Sequence, residues 1–161
     1  MSSQDRVGMF VEQWRRERPD LDPTPMAVIG RMRRVSDEFT RELIENYRRF
    51  GLGEGEFDVL CALRRAGAPF ALSQGDIAEH TMVTAGATSK RVDRLEATGL
   101  VTRSQRMDDA RGRIVELTPE GRALIDDAYP AHLQLEDQLL SPLDDAERAH
   151  LEALLRKLVR D

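Results

Sequence analysis

A chain of 161 residues, 40% hydrophobic and 33% charged, has room for one domain and enough apolar mass to build a core without disulfides. That balance excludes intrinsic disorder, and no apolar run approaches the ~20 residues of a membrane-spanning helix. The net charge of −5 argues, taken alone, against a nucleic-acid partner; a single cysteine and the absence of a signal-peptide pattern in Met1 to Phe10 point to the cytoplasm.

The predicted elements follow in chain order. Residues 4–17 read as a short helix carrying the only tryptophan, Trp14. Arg18-Pro19-Asp20 through Pro23-Thr24-Pro25 breaks it, because proline lacks an amide donor and restricts its predecessor. Pro25 suits the first turn of the next helix, in which Ile29, Met32, Ser36, Phe39, Leu43, Tyr47 and Phe50 recur at three- and four-residue steps until Gly51-Leu52-Gly53. Residues 54–66 form another helical run, with Phe57, Leu60 and Leu63 inward, closed by Gly67-Ala68-Pro69. Ser73-Gln74-Gly75-Asp76 has capping-box spacing, with aspartate in the place of glutamate, and opens a short helix through His80. Thr84 suits the cap of a helix running to Ala97.

Two stretches of strand character come next, Leu100 to Gln105 and Arg113 to Leu117, with Met107 to Gly112 as a charged hairpin tip. Thr118-Pro119 starts a long helix to about Leu140, with a kink expected at Pro130. Residues 144–160 form the last helix, with Leu151, Leu154, Leu155, Leu158 and Val159 on one stripe. The expected fold class is mostly α with a small β-hairpin: a winged helix-turn-helix with long N- and C-terminal dimerisation helices. One domain, 1–161, is expected, in which 1–50 and 119–161 dimerise and 54–118 form the DNA-binding winged helix. The flanking helices are too apolar on one side to stand alone in water, so they are expected to bury each other across a two-fold axis.

Enzymatic constellations are missing from the sequence. His80, His132 and His150 are scattered without zinc-ligand spacing, there is no glycine-rich phosphate loop, and no metal or cofactor is implied. Cys61 lies in an apolar helical run and reads as a packing residue. The charge is unevenly spread, however. Residues 84–113 carry seven basic and four acidic side chains, while 114–161 carry five and eleven. The helix in that basic segment places Thr88, Val92 and Leu95 on one face and Ala85, Gly86, Ser89 and Lys90 on the other. Small residues let a helix N-terminus approach base edges, and hydroxyls and a lysine can bond bases or phosphates. An ordinary capped surface helix is the competing reading. At the hairpin tip, Arg111 can enter a minor groove while Asp109 orients its guanidinium; a solvated turn is the alternative. The candidate DNA-binding residues are Ser73, Thr84, Ala85, Gly86, Ala87, Ser89, Lys90, Arg94, Asp109, Arg111 and Arg113.

Three stretches carry a family resemblance: Thr88 to Glu96 followed by Gly99-Leu100-Val101, then Asp109-Ala110-Arg111, then Val115 to Gly121. The combination resembles the MarR family of bacterial transcription regulators along nearly the whole chain. In the family's usual wing pattern of Asp-x-x-Asp-Arg-Arg, Arg106 replaces the first aspartate and Ala110 the first arginine. The extra helix with Trp14, Pro19 to Asp22 and Glu56 to Leu60 resemble more narrowly its PecS- and HucR-like, urate-responsive branch. That resemblance implies an anion pocket at Trp14, Asp58 and Arg91, with Ala66 where some members carry asparagine. It also implies a homodimeric repressor on double-stranded DNA that a small anionic aromatic ligand releases. From the residues themselves, an Asp58–Arg91 salt bridge and plain packing of Trp14 are the alternatives. A winged helix that binds protein rather than DNA, and a constitutive regulator with a vestigial pocket, remain the rival readings.

Overall fold

The structure, a computed structural model, describes residues 5–81, 85–105 and 113–159, with the backbone alone at 85–87 and 105. It contains α1 (Arg6–Glu17), α2 (Thr24–Arg48), α3 (Glu54–Arg65), β1 (Ala71–Ser73), α4 (Gln74–His80), α5 (Ala85–Ala97), β2 (Val101–Gln105), β3 (Arg113–Leu117), α6 (Pro119–Leu139) and α7 (Asp145–Arg156). The chain divides into two compact units, residues 1–42 and 43–161.

In the first unit Asp5 caps α1 by accepting from the Gly8 amide at 2.9 Å, and the same carboxylate oxygen accepts from Arg31 Nη2 at 2.6 Å. The amide bond first, and Arg31 after it, hold that carboxyl below the usual carboxylate range. Val7 and Val11 are buried, and Gly30 gives Val7 room to approach α2. On α2, Val28, Ile29, Met32 and Val35 stay exposed in the isolated chain.

The second unit is built around α3. Phe57, Val59, Leu60, Cys61, Ala62 and Leu63 are all buried, so this helix is covered on most of its circumference. Ile77 of α4, Val92 and Leu95 of α5, Val101 and Val115 of the sheet and Ile125 of α6 close the core around it. Truncating Leu60 or Leu63 to alanine in such a core costs about 2–5 kcal/mol. The start of α6 is fastened to the end of α5 by Thr118. Its hydroxyl accepts from the Gly121 amide at 3.0 Å and donates to the Gly99 carbonyl at 2.8 Å. Gly121 packs directly on the Leu100 carbonyl, with no room for a Cβ. Pro130 lies inside α6 without ending it.

One strand differs from the sequence-based expectation. The sheet has three antiparallel strands in the order β1-β3-β2, not two. Leu72 pairs with Val115 across β1 and β3, and Gln105 pairs with Arg113 across β2 and β3. Three residues are too few to show a two-residue alternation, so β1 exists through its pairing with β3. That pairing extends to the Leu117 amide, which donates to the Phe70 carbonyl at 3.1 Å. On α7, Leu151, Leu154 and Leu155 are exposed, as are Leu158 and Val159 just beyond it.

Candidate nucleic-acid interface and ligand pocket

Within the second unit, α5 carries six of the eleven candidate DNA residues, and Ser73 stands at the junction of β1 and α4. Ser73 caps α4: its hydroxyl accepts from the Asp76 amide at 3.1 Å and donates to Asp76 Oδ2 at 2.8 Å. Ser73 is thereby committed first to folding α4. In α5, Thr88, Val92 and Leu95 are at most 1% exposed, which turns Ser89 and Lys90 to solvent. Arg94 is exposed but forms an ion pair with Glu56 of α3. Glu56 in turn accepts from the Gly53 amide at 2.7 Å, which completes the N-terminal cap of α3. Arg113 opens β3 and is exposed. Ala85, Gly86 and Ala87 form the first turn of α5; Thr84, Asp109 and Arg111 lie outside the described residues.

A residue that the sequence reading did not single out holds α5 to the sheet. Arg103, on β2, has a side chain only 13% exposed. Its Nη1 meets Asp93 at 2.5 Å and Glu96 at 3.3 Å, and its Nη2 donates to the Ser89 carbonyl at 3.2 Å. The signal was present. Val101 and Arg103 share a strand face by two-residue alternation, so an arginine there needs partners, and Asp93 and Glu96 offer two carboxylates at helical spacing.

Arg91 leaves the same helix on the other side. It is half-buried, and its guanidinium lies across Gly55 of α3. Nη1 is buried and has no hydrogen-bond partner. The salt bridge to Asp58, the alternative reading of this pair, is not formed: among the described residues no ion pair joins the two. The guanidinium is seated at Gly55, three residues before Asp58 along α3, so the two charges interact only through space. Burial pushes the Asp58 carboxyl up, nearby Glu54 adds to the rise, and Arg91, Arg65 and His132 oppose it. Trp14, on α1 in the first unit, is 51% exposed.

Close to Asp58 lies a polar and aromatic cluster that the sequence reading also missed. Tyr47 stacks on Phe57 with ring centroids 4.2 Å apart, and its hydroxyl lies 3.2 Å from His132 Nδ1. His132 Nε2 is 3.2 Å from Glu136, one turn further along α6. Burial pushes the Tyr47 hydroxyl far above its ordinary value, Asp58 adding to it. Beside it, Cys61, Arg64, Arg65, Ile125, Asp126, Tyr129 and Pro130 line a groove of about 440 Å³ between α3 and α6. Arg64 is tied there to Asp126 at 2.6 Å, and burial pushes the Cys61 thiol up to about 12, which keeps it an unreactive thiol.

The arrangement is that of two short helices and a three-stranded sheet on a packed core, and comparisons with known proteins place it. The MarR family model matches residues 50–112. The transcriptional regulator PecS of Dickeya dadantii is 41% identical over 152 residues, 94% of this chain and 92% of that protein. The structure of Bordetella bronchiseptica BpsR, described with the regulation of its DNA binding by 6-hydroxynicotinic acid, is 31% identical with a TM-score of 0.72. It aligns with 81% of this chain and 91% of its own. A cysteine-to-serine mutant of Escherichia coli MarR, complexed with operator DNA, is 27% identical with a TM-score of 0.74, covering 91% of this chain and 98% of that one. These relatives are regulators and not enzymes. With this identity along almost the full length of a characterised regulator, and a winged helix-turn-helix core to match, the chain belongs to the MarR family of DNA-binding transcriptional regulators.

Proposed function

We propose that the protein is a homodimeric repressor that acts in the cytoplasm on a pseudo-palindromic operator and lets go when a small anionic aromatic compound, urate or a relative of it, binds at Trp14, Asp58 and Arg91. One observation carries the proposal. Helix α5 presents Ser89 and Lys90 to solvent while Arg91, next in sequence, points back toward α3 with a buried Nη1 that lacks a partner. A ligand that bonds this guanidinium acts directly on the helix that reads DNA. Its effect follows from a difference in affinity between the two positions of that helix. The regulators MarR, crystallised with operator DNA, and BpsR, regulated by 6-hydroxynicotinic acid, are precedents of each half.

The exposed apolar rows of α2 and of α7 with the residues that follow it support residues 1–50 and 119–161 as the dimerisation segments, leaving 54–118 to bind DNA. A two-fold protein prefers half-sites about 10 bp apart. The test starts from genomic fragments retained by the purified protein. Affinity for them falls steeply with salt, Lys90→Ala lowers the slope of log affinity against log salt by about one, and Arg111→Ala costs about 1–3 kcal/mol with relaxed specificity. Titration with urate and with 6-hydroxynicotinate quenches Trp14 fluorescence and releases DNA over one concentration range. A Trp14→Phe protein that responds like the parent removes Trp14 from the pocket, and DNA binding insensitive to both substitutions overturns the interface.

A further inference from the structure

Gly55 is buried in the first turn of α3, and the space where its side chain would stand is filled by Arg91 of α5. A Cβ added at Gly55 would coincide with Arg91 Nε and Cζ. Glycine is a poor helix former, so its presence in a helical turn calls for a local reason, and close approach of another group is one. Arg91 stands beside Val92, which with Leu95 is buried, so the position of its guanidinium is tied to that of the whole helix. No carboxylate among the described residues forms an ion pair with Arg91, and Nη1 is buried without a partner. Shape, helped by the through-space attraction of Asp58, keeps the side chain where it is.

We infer that Gly55 is the positioning residue that seats Arg91, and through it the reading helix α5, against α3. The notch accepts the flat guanidinium edge and gives nothing that a hydrogen bond would have to break. An arginine held in this way is withdrawn by a competing anion at little cost. This last step rests on the proposal that Arg91 is the anion partner; the seating itself does not. A methyl group at position 55 does from within what the anion does from outside: it evicts the guanidinium and shifts α5. The clash is with the outer part of a flexible side chain, so Arg91 gives way and α3 stays folded.

Gly55→Ala, Arg91→Ala and the double variant test this as a cycle, with three readouts. Affinity for the retained genomic fragments is measured at one fixed salt concentration. The melting midpoint is measured without DNA. The Nε–H resonance of Arg91, assigned by its loss in Arg91→Ala, is followed by NMR. Gly55→Ala is expected to weaken DNA binding about fivefold in the parent and to change it less than about twofold in the Arg91→Ala background. It lowers the melting midpoint in the parent, and leaves it unchanged or raises it once Arg91 is gone. The Arg91 resonance moves in Gly55→Ala. An equal loss in both backgrounds, no loss in the parent, or an unmoved resonance overturns the inference. Should Gly55→Ala fail to fold, a folded double variant supports the seat and an unfolded one overturns it. If the parent retains no DNA, the proposed operator reading falls, while the resonance and the melting cycle still decide Gly55.

Discussion

Two arginines flank α5, the proposed reading helix, and they are held by different means. Arg103 reaches α5 from β2 with two carboxylates and a carbonyl in bonding distance, although its Nε is buried without a partner. Arg91 reaches α3 from α5 with its Nη1 buried and unpaired over a glycine. The first is a strap: removing it takes the cation from Asp93 and Glu96 and a donor from the Ser89 carbonyl. The second is a wedge: among the described residues no ion pair holds it, and removing it takes from Asp58 only a through-space attraction. One side of the helix is therefore tied to the sheet by buried polar contacts, while the other meets α3 through the unpaired Arg91 and the exposed Arg94–Glu56 pair. That asymmetry is what a helix needs if a small molecule is to move it without dismantling its anchor.

Breaking the strap has the largest expected effect. Arg103→Met keeps the apolar stem and loses every polar contact. It is expected to cost about 1–3 kcal/mol in urea unfolding, because several hydrogen bonds to charged groups go at once. DNA affinity falls with it, and by more than stability alone predicts, since α5 loosens before the core melts. A variant as stable as the parent would show that Asp93 and Glu96 prefer water to Arg103.

Arg91→Met tests the other side. It removes a buried unpaired donor and fills the notch with a thioether, so the unfolding free energy changes by less than about 1 kcal/mol in either direction. The proposed release of DNA by urate or 6-hydroxynicotinate is expected to be lost. Equal destabilisation by Arg91→Met and Arg103→Met in parallel urea titrations would erase the distinction between wedge and strap.

Asp58 sharpens the comparison through pH. Burial, the largest influence on it, holds the folded carboxyl above its unfolded value. As pH falls, the native state takes up the proton before the unfolded chain does. Stability therefore rises as pH drops from the raised folded value toward about 3.9, and is lower above that window. Asp58→Asn removes this dependence. It is expected to be more stable than the parent at neutral pH and to have a flatter urea-midpoint profile on the acid side. A less stable variant at neutral pH would mean that the attraction of Arg91, Arg65 and His132 outweighs burial.

The smallest effect belongs to Arg94, whose side chain is 63% exposed in its pair with Glu56. Pairs this exposed contribute little, so Arg94→Gln changes stability by less than about 1 kcal/mol. Its DNA affinity discriminates further. A clear loss shows that Arg94 exchanges Glu56 for a phosphate on binding, and no loss confines it to its pair with Glu56.

The capping signals and the helix periodicities were legible in the chain because they are local. Ser73 with Asp76, Thr118 before Pro119, and the spacing of Thr88, Val92 and Leu95 act within one or two turns, and the structure has each in its expected role. The resemblance carried by residues 88–121 pointed to the family for the same reason: short motifs keep their residue types close together. What depends on partners far apart in sequence was decided only by the tertiary structure. Strand β1 has too few residues to announce itself and is made by pairing with β3, some forty residues on. Asp58 and Arg91 carry opposite charges, and sequence alone leaves a salt bridge between them open. The packing of α5 on α3 instead puts the guanidinium over Gly55, because a missing side chain offers space and a carboxylate three residues away does not. Composition and periodicity record which faces are apolar, whereas the fate of a single guanidinium depends on the shape left between two helices once those faces have met.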